Sequence, residues 1–142
     1  MLQKIIGLKT NEKHLDMMAL ILRLVVASLM LTHGFPKLSK LLAGGEIHFA
    51  NPLGLGPVVS LYLVVFAEFF CSVAIALGVG TRLATLPLMF TMSVAAFITH
   101  ASDPIGRKEL ALLYLIIYVT LFILGSRKFS IDYWLLKKKQ AI

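Results

Sequence analysis

The chain has 142 residues, 58% of them hydrophobic, and a mean hydropathy of +0.87. Soluble domains are about 45–50% apolar, so this composition excludes an ordinary soluble globular protein and predicts a multi-pass membrane protein. The formal net charge is +7, and the single cysteine excludes a disulfide within one chain.

The first apolar run, Leu15–Thr32, predicts a helix over residues 12–34. Asn11 is a favourable N-cap, and acidic side chains follow it in the first turns, near the positive end of the helix dipole. Gly34 and Pro36 are expected to end this helix, because glycine favours helix C-termini and proline cannot continue the hydrogen-bond ladder.

Two further helices are predicted in the middle of the chain. The run Val58–Leu77 follows a Gly-Pro pair and predicts a helix over residues 57–78. The run Leu83–Thr99 predicts a helix over residues 82–100, with Thr81 as its cap.

The last apolar run, Leu110–Leu124, is short unless its helix begins earlier. Asp103 and Pro104 read as an N-cap and a first helical residue, which predicts a helix over residues 104–125. Residues 126–142 are expected to form a short basic C-terminal segment. No second domain is expected, so residues 1–142 are treated as one transmembrane domain.

These runs predict an all-α integral membrane four-helix bundle, because a backbone in lipid must satisfy its own hydrogen bonds. With four spans, nine cations fall on the side of the termini and four on the other side. This asymmetry predicts that both termini are cytoplasmic. The basic tail is expected to meet anionic lipid of the bilayer, and no nucleic-acid partner is expected.

Two charges fall inside apolar runs: Arg23 in the first and Glu68 in the second. A charge in the bilayer core costs about 2.5–3.5 kcal/mol on insertion scales, so such residues usually face the protein interior and form pairs. Counting from the predicted helix ends at ~1.5 Å per residue puts the two at one depth and predicts an ion pair. This pair either joins the two helices or lines a polar cavity for a substrate or a proton.

Titratable residues also gather at the end of the bundle expected to face outward. They are His33, Lys37, His100, Glu109 and, in the loop between the last two helices, Asp103. Histidine exchanges protons near neutral pH, so this group is a candidate for proton transfer; the alternative is that the side chains only reach the lipid headgroups. Tyr114 and Tyr118 share another face of the last helix, which we expect to be exposed and compatible with a homo-oligomer.

Other cofactor chemistry has little support in the sequence. The histidines lack the close spacing of metal ligands, so no metal site is expected. A lone Cys71 cannot form a dithiol, and no glycine-rich nucleotide loop is present. A haem between His33 and His100 is geometrically conceivable but has no other support.

Several elements, in this order, resemble the DoxX family of small membrane proteins over residues 20–132. They are Leu22-Arg23-Leu24, His33-Gly34 with Lys37, Glu68, Gly78-Val79-Gly80-Thr81-Arg82, Lys108-Glu109-Leu110-Ala111-Leu112-Leu113-Tyr114 and Phe129-Ser130-Ile131-Asp132. Before the last motif, the family usually has a glycine-rich segment that leads to the serine and the aspartate. This chain has Ser126-Arg127-Lys128 there instead.

The resemblance implies a four-helix bundle in the bacterial cytoplasmic (inner) membrane. Some members are similar to membrane subunits of thiosulfate:quinone oxidoreductase, which implies a quinone-linked oxidoreductase with a redox partner protein. Quinone is then the one cofactor implied. The candidate catalytic residues are Glu68, Glu109 and His33, and the candidate quinone-binding or substrate-binding residues are Arg23, Lys37, His100 and Arg82.

Two other functions remain open from the sequence. A transporter or binding protein would hold a small anion at Arg23, Lys37 and Arg82. A structural partner subunit would use the charged residues only for stability.

Overall fold

The computed structural model describes residues 11–140, and these contain helices and no strand. We number the helices α1 (Glu12–Ala43), α2 (Pro57–Leu77), α3 (Thr81–Thr99), α4 (Ile105–Leu124) and α5 (Ile131–Gln140). The prediction of an all-helical protein is confirmed.

Helix α1 is longer than the sequence predicted. It continues through Gly34 and Pro36 and ends at Ala43, before Gly44 with its positive φ of 70°. A proline inside a helix removes one hydrogen bond, but the rest of the ladder can continue, and helices in membranes tolerate this loss. The predicted end at residue 34 is therefore wrong, and Lys37 lies within α1.

Helices α2 and α3 each contain a π-helical segment. In α2 it covers Phe66–Cys71 and includes Glu68, and in α3 it covers Ala95–Thr99 at the helix end. In such segments the backbone hydrogen bonds span five residues instead of four, and these segments occur frequently at functional sites. Both lie beside the cavities described below.

The four longer helices share one apolar core. Each contributes residues that are fully buried or nearly so, among them Val26, Ile75, Leu88 and Leu121. Tyr114 and Tyr118 of α4 also belong to this core, so the expectation that they form an exposed face is wrong. With 6% and 0% of their surfaces exposed, the two tyrosines cannot form a surface for self-association.

The outer surface of the bundle is apolar. Large side chains such as Leu29, Leu63, Phe90 and Ile123 are more than a third exposed. Helices α1, α2 and α3 are each long and apolar enough to cross a membrane. An apolar core enclosed by an apolar surface is the pattern of a protein in lipid.

Helix α5 follows the bundle and was not predicted as a helix. Residues 131–140 were expected to belong to a basic C-terminal segment, and they form a helix in which no residue is buried. The first turn of α5 is fixed to the end of α2, because the Asp132 backbone N–H donates to Gly78 O at 3.1 Å.

Gly34 sets the close approach of α1 and α2. A Cβ atom at this position would lie 2.8 Å from the backbone C and O of Glu68. We expect Gly34→Ala to lower the free energy of unfolding by about 1–3 kcal/mol, because backbone atoms cannot move aside as a flexible side chain can. Thermal unfolding in detergent measures the effect.

The matched control is Gly106→Ala in α4, where a Cβ would meet nothing within 4 Å. This variant should be neutral or more stable by up to about 1 kcal/mol, since alanine has the higher helix propensity. Equal melting temperatures for the two variants would show that the α1–α2 contact is not tight at Gly34.

Candidate functional site

The buried charge of Glu68 is paired with Lys37. The Lys37 ammonium donates to Glu68 Oε2, and the carboxylate side chain is 5% exposed against 29% for the lysine. The predicted ion pair of Glu68 with Arg23 is wrong: Arg23 lies level with Ile75 and Ala76, about two helical turns from Glu68 along α2.

The local structure explains why these two charges meet. Gly34 brings the backbone of α1 against Glu68 itself, and Lys37 follows Gly34 by three residues, so it lies on the same face of α1. This requires α1 to continue past Pro36. The sequence prediction ended the helix before Lys37 and therefore missed the pair.

An apolar cavity of about 440 Å³ lies on one side of this pair. It is open on one side and is bordered by the loop between α1 and α2 and by the facing sides of α2 and α3. Its wall is formed by side chains such as Leu53, Leu63, Phe66 and Phe90, with the Lys37–Glu68 pair as its charged element. A cavity of this kind suits an apolar molecule that carries a polar group at one end.

A smaller cavity of about 220 Å³ lies on the other side, between α1, α3 and α4. Lys37 and Glu68 line it too, and the other polar side chains are His33, His100, Arg107 and Tyr114. The His33 and Tyr114 rings meet edge to face with their centroids 6.2 Å apart. The structure thus gathers four predicted site residues, His33, Lys37, Glu68 and His100, around two adjoining cavities.

Tyr114 is a site residue that the sequence analysis missed. Its ring stacks on Tyr118 with 6.0 Å between centroids, and the Tyr118 hydroxyl has no hydrogen-bond partner among the described residues. The i,i+4 spacing of the two tyrosines was visible in the sequence. Which way their common face points depends on the packing of α4, which the spacing does not fix.

The loop between α3 and α4 adds a polar pair at the rim of the smaller cavity. His100 Nδ1 lies 2.7 Å from Asp103 Oδ2, and Arg107 Nη1 lies 3.6 Å from the same oxygen. Pro104, not Asp103, is the N-cap residue of α4. Glu109 is exposed and lines neither cavity, so the structure does not bring this candidate catalytic residue together with the other titratable residues.

Arg23 has a different environment, although it is buried as predicted, with 1% of its surface exposed. Its guanidinium donates to four backbone carbonyls, at 2.7–3.1 Å: Ile75, Ala76, Ser126 and Phe129. Two of these belong to the last turn of α2, where the helix dipole is negative. Arg23 therefore fixes the end of α2 to the turn that follows α4.

The same end of the bundle contains Asp132, whose carboxylate accepts hydrogen bonds from the Gly80 N–H and the Ser126 hydroxyl. Arg127 donates to Asp16, at 2.7 Å, and to Glu12. The hydrogen bond to Asp16 raises the pKa of Arg127 above its ordinary value. We call this group, together with Arg23, the Arg23 end of the bundle.

Arg82 also lies at the Arg23 end, where its Nη2 donates to Ile123 O at 3.2 Å. Neither Arg23 nor Arg82 lines the cavities beside Lys37. The three cations expected to hold a small anion together are therefore not brought together. Cys71 is buried in the core, and within residues 11–140 no group of three or more His, Cys, Asp and Glu side chains could hold a metal ion.

Comparison with known proteins gives one family. Searches of curated proteins and of solved structures returned no match. The family model of DoxX matches residues 18–101, more than half of the chain, and covers Arg23, Lys37, Glu68 and the Gly78–Arg82 motif. The motifs near residues 108–114 and 129–132, which the resemblance included, lie outside this match. By this match the chain belongs to the DoxX family.

Proposed function

We propose that this protein is the membrane subunit of a quinone-linked redox complex and binds a quinone at the Lys37–Glu68 pair. The observation that carries the proposal is the position of this pair in the wall shared by an apolar and a more polar cavity. A quinone has the same division, with an isoprenoid chain attached to a ring that bears two hydrogen-bond acceptors.

The donors around the pair fit such a ring. The Lys37 ammonium can donate to a carbonyl oxygen of the ring, and the Tyr114 hydroxyl and the imidazoles of His33 and His100 are further donors on the side of the smaller cavity. The apolar side chains of the larger cavity would exclude water from the isoprenoid chain. Bound quinone would supply the capacity to accept two electrons and two protons.

The chain's own residues would manage the protons. Glu68 Oε2 and Lys37 Nζ already share a hydrogen bond and can pass a proton between them, and His100 with Asp103 forms a second pair at the rim. A carboxylate, an amine and imidazoles are common general acids and bases. The described residues offer no metal-ligand group and no second cysteine, so we assign the electron donor to a redox partner protein.

The topology belongs to the same proposal. Helix α4 has 20 residues, enough to cross a bilayer core of about 30 Å at ~1.5 Å per residue. Its charges, Arg107, Lys108 and Glu109, all fall in its first turns, so their side chains would extend to the headgroups while the apolar run Leu110–Leu124 crosses a locally thinned core. Four spans with nine cations against four support a topology in which both termini lie in the cytoplasm of a bacterium and the Lys37 site faces the outer side of the inner membrane.

An anion transporter finds less support. That function needs free cations converging on one cavity, but Arg23 is occupied by four carbonyls and Arg82 lies at the opposite end from Lys37. In this proposal Arg23 and Arg82 are structural residues, and Glu109 has no role in catalysis.

Ligand-dependent unfolding tests the proposal. We expect decyl-quinones to raise the melting temperature of the purified protein saturably, while decanol, which has a similar tail and no quinone ring, does not. A ligand at 100 times its Kd stabilises by about 2.7 kcal/mol, which thermal unfolding readily resolves. Equal effects of the two compounds, together with no quinone in organic extracts of the protein, would contradict quinone binding.

A further inference from the structure

We propose that the groove beside α5 binds an acidic phospholipid. This groove has a volume of about 670 Å³ and lies between the start of α3, the end of α4 and α5. It is at the Arg23 end of the bundle, remote from the Lys37–Glu68 pair, and so the inference does not depend on quinone binding.

Among the side chains that line the groove, cations outnumber carboxylates, and Glu12, which does not line it, is a further partner of Arg127. The groove is lined by three cations, Arg82, Arg127 and Lys128, and by two carboxylates, Asp16 and Asp132. Asp16 is paired with Arg127 and with Lys128, whose Nζ lies 3.4 Å away, and Asp132 is occupied by Gly80 and Ser126. Arg82 donates to a backbone carbonyl and forms no salt bridge among the described residues.

The apolar part of the groove suits an acyl chain. Leu83 of α3 is 73% exposed, and Leu135 and Leu136 of α5 are 47% and 61% exposed. These leucines line the same groove as the cations. A phospholipid has this arrangement of an anionic headgroup next to hydrocarbon, and basic pockets between membrane helices are known sites for such headgroups.

Helix α5 has the composition of a helix that lies on a membrane surface. Trp134 is 61% exposed, and Lys138 Nζ lies 5.5 Å from the centre of its ring. Lys137, Lys138 and Lys139 follow the apolar residues directly. Tryptophan prefers the membrane interface and lysine reaches anionic headgroups from there, so charge complementarity favours an acidic lipid over a neutral one.

Trp134 is the only tryptophan of the chain, and it lies next to Tyr133 and Leu135, which line the groove, so its fluorescence reports on lipid beside this site. The full-length protein is placed in nanodiscs of equal phosphatidylglycerol and phosphatidylcholine, with one of the two lipids brominated at a time. We expect brominated phosphatidylglycerol to quench Trp134 several times more strongly than brominated phosphatidylcholine. Removing one cation near the membrane surface should reduce this preference up to about five-fold. In Arg82→Gln, the ratio of quenching by the two brominated lipids should therefore be close to one.

The matched control is Arg107→Gln, which removes an equal charge at the other end of the bundle and should leave the preference unchanged. Should Arg82→Gln not fold, replacement of Lys137, Lys138 and Lys139 by glutamine removes cations from an exposed helix and should also reduce the preference. Equal quenching by the two lipids in the unmodified protein, an equal loss in Arg107→Gln, or no quenching by either lipid would each overturn the proposal.

Discussion

Replacing Arg23 by methionine is expected to leave little folded protein in the membrane. The substitution removes the donors of four carbonyls from two separate parts of the chain, the end of α2 and the turn before α5. A buried acceptor left without its donor costs about 1–3 kcal/mol, and four carbonyls lose theirs. The free energy of unfolding of a whole protein is only about 5–15 kcal/mol. The Arg23→Met substitution therefore removes a large part of it.

The geometry also predicts that lysine cannot replace Arg23. One ammonium has three donors around a single nitrogen and cannot reach carbonyls that the guanidinium contacts through all three of its nitrogens. We therefore expect Arg23→Lys to melt well below the unmodified protein, though above Arg23→Met.

Arg107→Met is the control, because Arg107 is an exposed arginine at the other end of the bundle, with its side chain 72% exposed. The yield of monodisperse protein on size exclusion and the melting temperature in detergent measure all three variants. A normal melting temperature for Arg23→Met would contradict the structural role and return Arg23 to the list of candidate ligand-binding residues.

The sequence predicted α2, α3 and α4 closely, and each of their bounds lies within one residue of the expected one. Long apolar runs bounded by glycine, proline and threonine carry enough information for this. The length of α1 was not predictable by the same rules, because Pro36 normally signals a helix end. In a membrane the helix can continue, since no water is available to solvate the freed backbone.

The burial of Arg23 and Glu68 was also predictable, but their partners were not. A charge in an apolar run implies an interior position, which holds for both residues. The predicted depths of Arg23 and Glu68 were counted from helix ends assumed to lie at one level in the membrane. In the structure α1 and α2 are offset, so that Arg23 lies beside the last turn of α2 and Gly34 lies beside Glu68. Backbone carbonyls as partners leave no signal in a sequence, so the surroundings of Arg23 could come only from the fold.

Neutralising either member of the Lys37–Glu68 pair is expected to weaken quinone binding. Hydrogen bonds to charged groups contribute about 1.5–3 kcal/mol, so Lys37→Met should raise the Kd for a decyl-quinone roughly 10- to 100-fold. Glu68→Gln removes the proton acceptor of the pair and should lower turnover with the quinone more than affinity. Both single variants also leave one charge unpaired, which should lower the melting temperature.

The double variant Lys37→Met/Glu68→Gln separates the functional role of the pair from its structural role. Without either charge there is no unpaired ion in the interior, so the melting temperature should recover relative to the single variants. Quinone binding should not recover, because the donor to the ring is still absent. Lys40→Met is the matched control, since Lys40 is an exposed lysine of α1 that donates only to His48 O within the described residues. Quinone binding that returned together with stability in the double variant would show that the pair only joins α1 to α2.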